Sequence, residues 1–419
     1  MKRNDYFITI VCIALVCITV INLAGCALEV QTKDLMEGVK RNQIDVPYEP
    51  HTQNQHITDF SVRLFQASVE GSANTLISPL SILCALAMTA NGAGGETLEE
   101  MESVLGMTTE ELNLYLCHYI TSLPSEEKHK LGIANSVWLA EDVRLTVNRD
   151  FLQTNADYYG ADIYEAPFNQ ETCKNINRWV RKKTDGMIPK IMDNLSQDEI
   201  MCLVNAIVFD AEWLSTYERD QVKEGVFIKE NGSEEKADFM YGEEHAYFED
   251  EMATGFMKTY KGGRYAFVAM LPKEGIVLSE YIKSLNGEKL HNLLSTPYHT
   301  TVNTSIPKFE TEHVVELSGT LKAIGMSTAF DISKANFERL GASSAGNIYI
   351  GHIFHKTFIS VGEKGTKAGA ATAIIAADGA AIEIEDPKEV YLNRPFVYML
   401  IDCENSIPIF MGTMMDPKS

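Results

Sequence analysis

The sequence contains no CxxC pair, no HExxH, no GxSxG elbow, no Walker loop and no GxGxxG. Those absences remove zinc ribbons, thioredoxin-like redox sites, zinc proteases, α/β-hydrolases and the common nucleotide-binding folds. Its ten histidines are scattered and none is joined to a Cys pair as a zinc-finger set requires, so neither a metal nor a cofactor is expected. Gly92, Gly94 and Gly95 invite comparison with an anion loop, but no Lys-Ser/Thr follows them. Basic charge is also short: 36 Lys and Arg face 58 Asp and Glu, a net −22. A surface of that sign repels polyanions, which excludes a nucleic-acid partner and argues against a glycosaminoglycan site. With only 28 glycines and 13 prolines in 419 residues and 45% apolar content, the chain is neither collagen-like nor low-complexity. It is long enough to bury a large core without disulfide or metal staples.

One long apolar run is present. Lys2 and Arg3 precede an almost wholly apolar stretch from Tyr6 to Leu23, which ends Leu23-Ala24-Gly25-Cys26. A basic start, an apolar run and small residues form a secretory signal. The closing Cys resembles a bacterial lipoprotein signal, with residues 1–25 removed and Cys26 the lipidated first residue. An uncleaved membrane-spanning anchor is the alternative, since the run is just long enough to span. Either puts the remainder on the extracellular side of a bacterial membrane, held there by lipid or released. Removing residues 1–25 takes away two cations and one anion, moving the charge from −22 to −23. Residues 26–55, polar and aperiodic, are read as a tether. The remaining Cys84, Cys117, Cys173, Cys202 and Cys403 are odd in number and mostly in apolar surroundings, which fits buried free thiols.

From about residue 56 the chain reads as one mixed α and β domain to residue 419, with no repeat and no Pro/Ser-rich linker. Phe60, Leu64, Phe65 and Val69 recur on one helical face. Ser78-Pro79 opens an apolar helix, Ser as cap and Pro at the first helical position. Leu203 to Phe209, Tyr265 to Leu271 and Phe396 to Ile401 have the length and composition of buried strands. His355, in Ile353-Phe354-His355-Lys356, sits among apolar residues and is expected as a buried, hydrogen-bonded core histidine rather than a general base.

Residues 363–386 stand apart. They contain no Pro, no aromatic and much alanine, with Gly365, Gly369 and Gly379 interrupting any helix. At period two, Thr366, Ala368, Ala370, Thr372, Ile374 and Ala376 share one face, all small or apolar and none charged. Such a face suits the middle of a sheet; a surface loop or an alanine-rich helix is the plainer alternative.

The chain resembles the serpin family over most of residues 56–417. Glu363-Lys364-Gly365-Thr366-Lys367-Ala368-Gly369-Ala370-Ala371-Thr372 is similar to the serpin hinge. Asn393-Arg394-Pro395-Phe396, Phe410-Met411-Gly412-Thr413 and Asp416-Pro417 are similar to its C-terminal signature. Asn74 to Ile82, Asn91 to Thr97, Asn135 to Trp138, Ile176 to Val180, Leu203 to Ala206 with Trp213, and Ile306 to Phe309 follow in family order. The resemblance implies an α+β fold of the multi-domain type, with three β-sheets, eight or nine helices and an exposed reactive-centre loop over 363–392. It implies no enzyme. The expected protein is a monomeric suicide substrate that traps a serine, or cysteine, protease as a covalent 1:1 acyl-enzyme when the cut loop inserts into the central sheet. A non-inhibitory serpin-fold surface binding protein is the alternative. The hinge would be Glu363, Gly365, Thr366, Ala368, Ala370 and Thr372. Lys367 and Gly369 depart from the usual pattern but fall on the outward face. Ser78, Asn205 and His355 would lie where the sheet opens, with Trp213 where the loop first inserts. Counting from Glu363 places the cleaved bond near Gly379, and counting back from Asn393 places it near Ile384. The window Gly379, Ala380, Ala381, Ile382 is favoured. No Lys or Arg lies between Ala368 and Pro387, so the target is expected to be elastase-like or subtilisin-like. Glu383, Glu385 and Asp386 either steer a basic protease or merely solubilise the loop.

Overall fold

The computed structural model describes residues 32–44, 53–124, 129–142, 145–197, 199–344, 346–366 and 386–418. Among them are three sheets and nine α-helices, the architecture expected from the resemblance. Seven strands form the large sheet, in the order Lys33–Asp34, Asp162–Ala166, His129–Ala140, Met201–Glu212, Gly365–Thr366, His352–Gly362, Phe309–Glu316. A nine-stranded sheet packs against it and contains Tyr265–Pro272, Phe396–Asp402 and Ile407–Met414. Leu145–Val147 and Gly341–Ser343 make the third.

The central strand Met201–Glu212 shows why its sequence is apolar almost throughout. Successive side chains alternate between faces, and both faces are covered. Leu203, Ile207, Phe209 and Ala211 enter the main core between the two large sheets. Cys202, Val204, Ala206 and Val208 meet a second cluster beneath the helix Gln170–Lys183, which presents Cys173, Ile176, Trp179 and Val180. The helix Pro79–Ala90 is buried at all twelve positions, as a helix apolar all round must be. Ser78 caps it, accepting from the Ser81 N–H, with Pro79 in the first turn. The first long helix runs Asn54–Ser68 and buries Phe60, Leu64 and Phe65. The five thiols are free, four of them buried, and burial pushes the Cys84 thiol up to about 12.

The tether expected at 26–55 needs correction over 32–44. Lys33 and Asp34 pair antiparallel with Glu165 and Tyr164 at the sheet edge, and Leu35 and Met36 pack on the core. Asp157 holds the next turn, accepting from Asn42 N (2.7 Å), Asn42 Nδ2 (3.0 Å) and Gln153 Nε2 (2.7 Å), while Arg41 Nε donates to its carbonyl (3.1 Å). Partial burial alone would raise the Asp157 pKa, but these donors hold its carboxyl below the usual range. The segment has no periodicity because it satisfies an edge and a few side chains, not a repeating face. Cys26 and residues 1–25 lie outside the described residues. No described helix is long and apolar enough to cross a membrane. Asp157→Ala removes acceptors for three donors and is expected to cost about 1–2 kcal/mol, read as a lower urea midpoint and faster proteolysis within 32–44.

Candidate functional site

Two strands of the large sheet, Met201–Glu212 and His352–Gly362, run parallel and pair from His352↔Cys202 to Thr357↔Ile207. There the ladder between them stops. Farther along, Gly365 and Thr366 lie between the same two strands, paired antiparallel with Glu212 and Ala211 on one side and with Gly362 and Val361 on the other. The sheet is thus closed at one end and parted at the other.

His355 closes the seam. It sits directly opposite Asn205 and is fully buried. Its Nε2 accepts from the Ser78 N–H (3.0 Å) and its Nδ1 donates to Asn205 Oδ1. One ring nitrogen accepts while the other donates, so the imidazole is neutral. Burial, with a smaller contribution from His313, pushes its pKa down to about 3. The two N–H groups of Asn205 Nδ2 are shared among Ser81 O (2.8 Å), Ser81 Oγ (2.5 Å) and Asn135 Oδ1, while Ser78 Oγ donates to Ile409 O (2.7 Å). The network therefore ties the two strands to each other, to the buried helix and to the second sheet. His355 is a satisfied core histidine, as its apolar neighbours led us to expect.

At the parted end Trp213 is fully buried. Its backbone N–H donates to Lys364 O (2.9 Å) and its indole N–H to Gly362 O (2.8 Å). The indole stacks on Tyr260, centroids 4.2 Å apart. Tyr260 Oη and Thr366 Oγ1 share a hydrogen bond of 2.6 Å, so Thr366 points inward, on the face the period-two reading assigns to it. Gly365 has φ of +148°, and a Cβ there would meet Ala211 O at 2.2 Å, so glycine is needed where the chain squeezes between strands. Glu363 pairs with Lys308 (2.8 Å), which holds its carboxyl below the usual range. A cleft of ≈ 730 Å³ opens beside this turn, lined by Tyr217, Arg219, Asp238 and Lys308.

The structure brings Ser78, Asn205 and His355 together, and separately Trp213, Glu363, Gly365 and Thr366. Ala368, Ala370, Thr372, Gly379, Ala380, Ala381 and Ile382 lie outside the described residues. Sequence reasoning placed Ser81 and Asn135 within family stretches without giving them a role, and missed Tyr260, which only its neighbours in space mark. It also missed Lys258, buried and paired with Glu244 (2.6 Å) over the rings of Trp213 and Tyr217.

Comparison with known proteins meets this geometry. Residues 55–417 match the family model described as "Serpin (serine protease inhibitor)". A serpin-like protein of Thermococcus kodakarensis is 30% identical over 369 residues, 86% of this chain and 85% of its own. Human antithrombin-III is 26% identical over 378 residues, 87% of this chain and 79% of its own. The native crystal structure of tengpin, a thermophilic serpin, is 45% identical and has a TM-score of 0.87 over 92% of this chain and all of tengpin. Tengpin in its latent state gives 0.77 at 42% identity, over 90% of this chain and all of tengpin. The chain belongs to the serpin family, whose members are in general protease inhibitors rather than catalysts.

His355 fixes a pH dependence. Its folded pKa lies below that of the unfolded chain, near ~6.5, so the unfolded state binds more protons and stability falls as pH drops from ~6.5 towards about 3. His355→Gln is expected to be about 2–3 kcal/mol less stable at pH 7, because it disturbs partners of buried groups. Its stability should also fall less steeply than that of the parent between pH 6.5 and 4, as read from urea midpoints.

Proposed function

We propose that this serpin is an irreversible suicide-substrate inhibitor of serine, or cysteine, endopeptidases with elastase-like or subtilisin-like preference. It acts as a monomer at the outer face of a bacterial membrane, anchored through lipid on Cys26. The observation that carries the inhibitory reading is the seating of Thr366. Gly365 and Thr366 already lie between the two strands with the Thr366 side chain inward, and the next positions on that face, from Ala368 to Ala376, are all small or uncharged. Nothing bulky on that face would stop the strand from continuing. The greater likeness to native than to latent tengpin also fits a molecule poised before insertion.

The chemistry belongs to the protease. Its nucleophile attacks the carbonyl of the scissile residue, the C–N bond breaks, and the new amine takes the proton from the general base. The inhibitor is left as an ester, or thioester, on the enzyme. Completing the ladder between Met201–Glu212 and His352–Gly362 then satisfies backbone groups along the parted strands, and that gain drives the bound protease away from the hinge. Water must not reach the acyl bond first, so insertion has to be fast. The window Gly379–Ile382 offers a protease small or aliphatic residues and no cation.

Incubation with an elastase-like and a subtilisin-like protease, followed by a denaturing gel, tests the reading. A band at the summed mass is expected, with the released C-terminal fragment locating the cut. Clean cleavage with full protease activity across a broad panel would instead indicate the non-inhibitory binding protein. Thr366→Arg places a long cation where 0% of the residue is exposed. It is expected to be cleaved as fast as the parent but to lose the covalent band, whereas Thr366→Val keeps it. A second measurement is independent of the target: protein nicked in the loop should melt well above intact protein.

A further inference from the structure

The chain carries −22 overall, yet residues 170–190 hold six cations against two acids, Glu171 and Asp185. Four of the cations, Lys174, Arg178, Arg181 and Lys182, fall at i, i+4, i+7 and i+8 along the helix Gln170–Lys183. Its opposite stripe is packed on the sheet, so these four point outward and are exposed. Cations in the last turn complement the helix dipole, but that does not account for Lys174 and Arg178 farther back. Among the described residues Arg178, Arg181 and Lys182 form no ion pair, while Lys174 pairs with Glu171 (2.8 Å).

A second observation comes from the path of the chain. Thr32, the first described residue, is hydrogen-bonded to this same helix, Asn175 Nδ2 donating to Thr32 Oγ1 (2.9 Å). Lys33 and Asp34 continue along the adjoining sheet edge. Cys26 is six residues earlier, a length that even fully extended spans only about 20 Å. An anchor at Cys26, or an apolar span ending at Leu23, therefore brings this helix to the lipid surface.

We propose that the outward face of the helix Gln170–Lys183 docks on an anionic lipid bilayer, so that the helix-covered face of the large sheet turns towards the membrane. The inference rests on the anchoring part of the function proposed above. A lipid chain with a basic patch is the two-part attachment that gives stable membrane binding. The hinge stays clear of it: Ala211, which pairs with Thr366, is about 23 Å along its strand from Val204 beneath the helix. A protease can then reach the loop while the basic helix rests on headgroups.

The test uses the full chain reconstituted through its own anchor in two kinds of vesicle, phosphatidylcholine alone and phosphatidylcholine with about a third phosphatidylglycerol. Lysine acetylation is followed residue by residue by mass spectrometry. We expect Lys174 and Lys182 to react about fivefold or more slowly on the anionic vesicles, with protection lost in high salt and Lys289 unaffected. Arg178→Glu with Arg181→Glu should abolish the protection. Equal reactivity on both vesicles overturns the proposal, as does equal protection by soluble polyphosphate, which would mark a general polyanion site. The mass of the N-terminal peptide reports the anchor separately. A chain with no acyl group and no retained apolar span refutes the anchoring reading. The same footprint with anionic vesicles added from outside then decides whether the stripe binds lipid.

Discussion

Backbone hydrogen bonding between two parallel strands is the constraint around which this molecule is organised. Met201–Glu212 is paired along one edge with His129–Ala140 almost from end to end. Its other edge pairs with His352–Gly362 for six residues and, farther along, with Gly365 and Thr366. Buried N–H and C=O groups demand partners. Where the pairing with His352–Gly362 stops, Gly365 and Thr366 supply partners on both sides.

The two polar clusters along that seam have opposite characters. The His355 cluster is neutral, fully buried and satisfied on both ring nitrogens, so it holds without charge. The Trp213 cluster is an aromatic wall: its indole and amide take the carbonyls of Gly362 and Lys364, and Tyr260 takes the Thr366 hydroxyl. One joins the paired ends of the two strands, and the other holds the turn Gly362–Thr366 at their far end. The Ser78 hydroxyl donates to Ile409 O and the Thr366 hydroxyl meets Tyr260, while the imidazole takes the Ser78 backbone N–H.

Much of this was legible in the residues. Ser78-Pro79 announced the buried helix because capping and a preset φ act locally. The apolar runs from Leu203, Tyr265 and Phe396 announced strands because both faces of a central strand are covered. Period two put Thr366 on a face of small, uncharged residues; that it points inward came from its contact with Tyr260. The tether was misread for an equally physical reason. A strand of two residues and a turn held by Asp157 have too few positions to show periodicity, and their partners lie more than a hundred residues away.

Residue type, spacing and immediate neighbours in the chain thus determined the mixed α and β character, the buried helix and strands, and His355 as a buried, hydrogen-bonded residue, while the serpin resemblance, carried by motifs in order, supplied the three-sheet fold. The three-dimensional arrangement decided what no spacing encodes: that Asn205 faces His355 across a seam, that Tyr260 meets Thr366 over a separation of 106 residues, and that Thr32 lies against the basic helix. Those contacts are set by strand order and register, and register is a property of the assembled sheets rather than of any stretch of sequence.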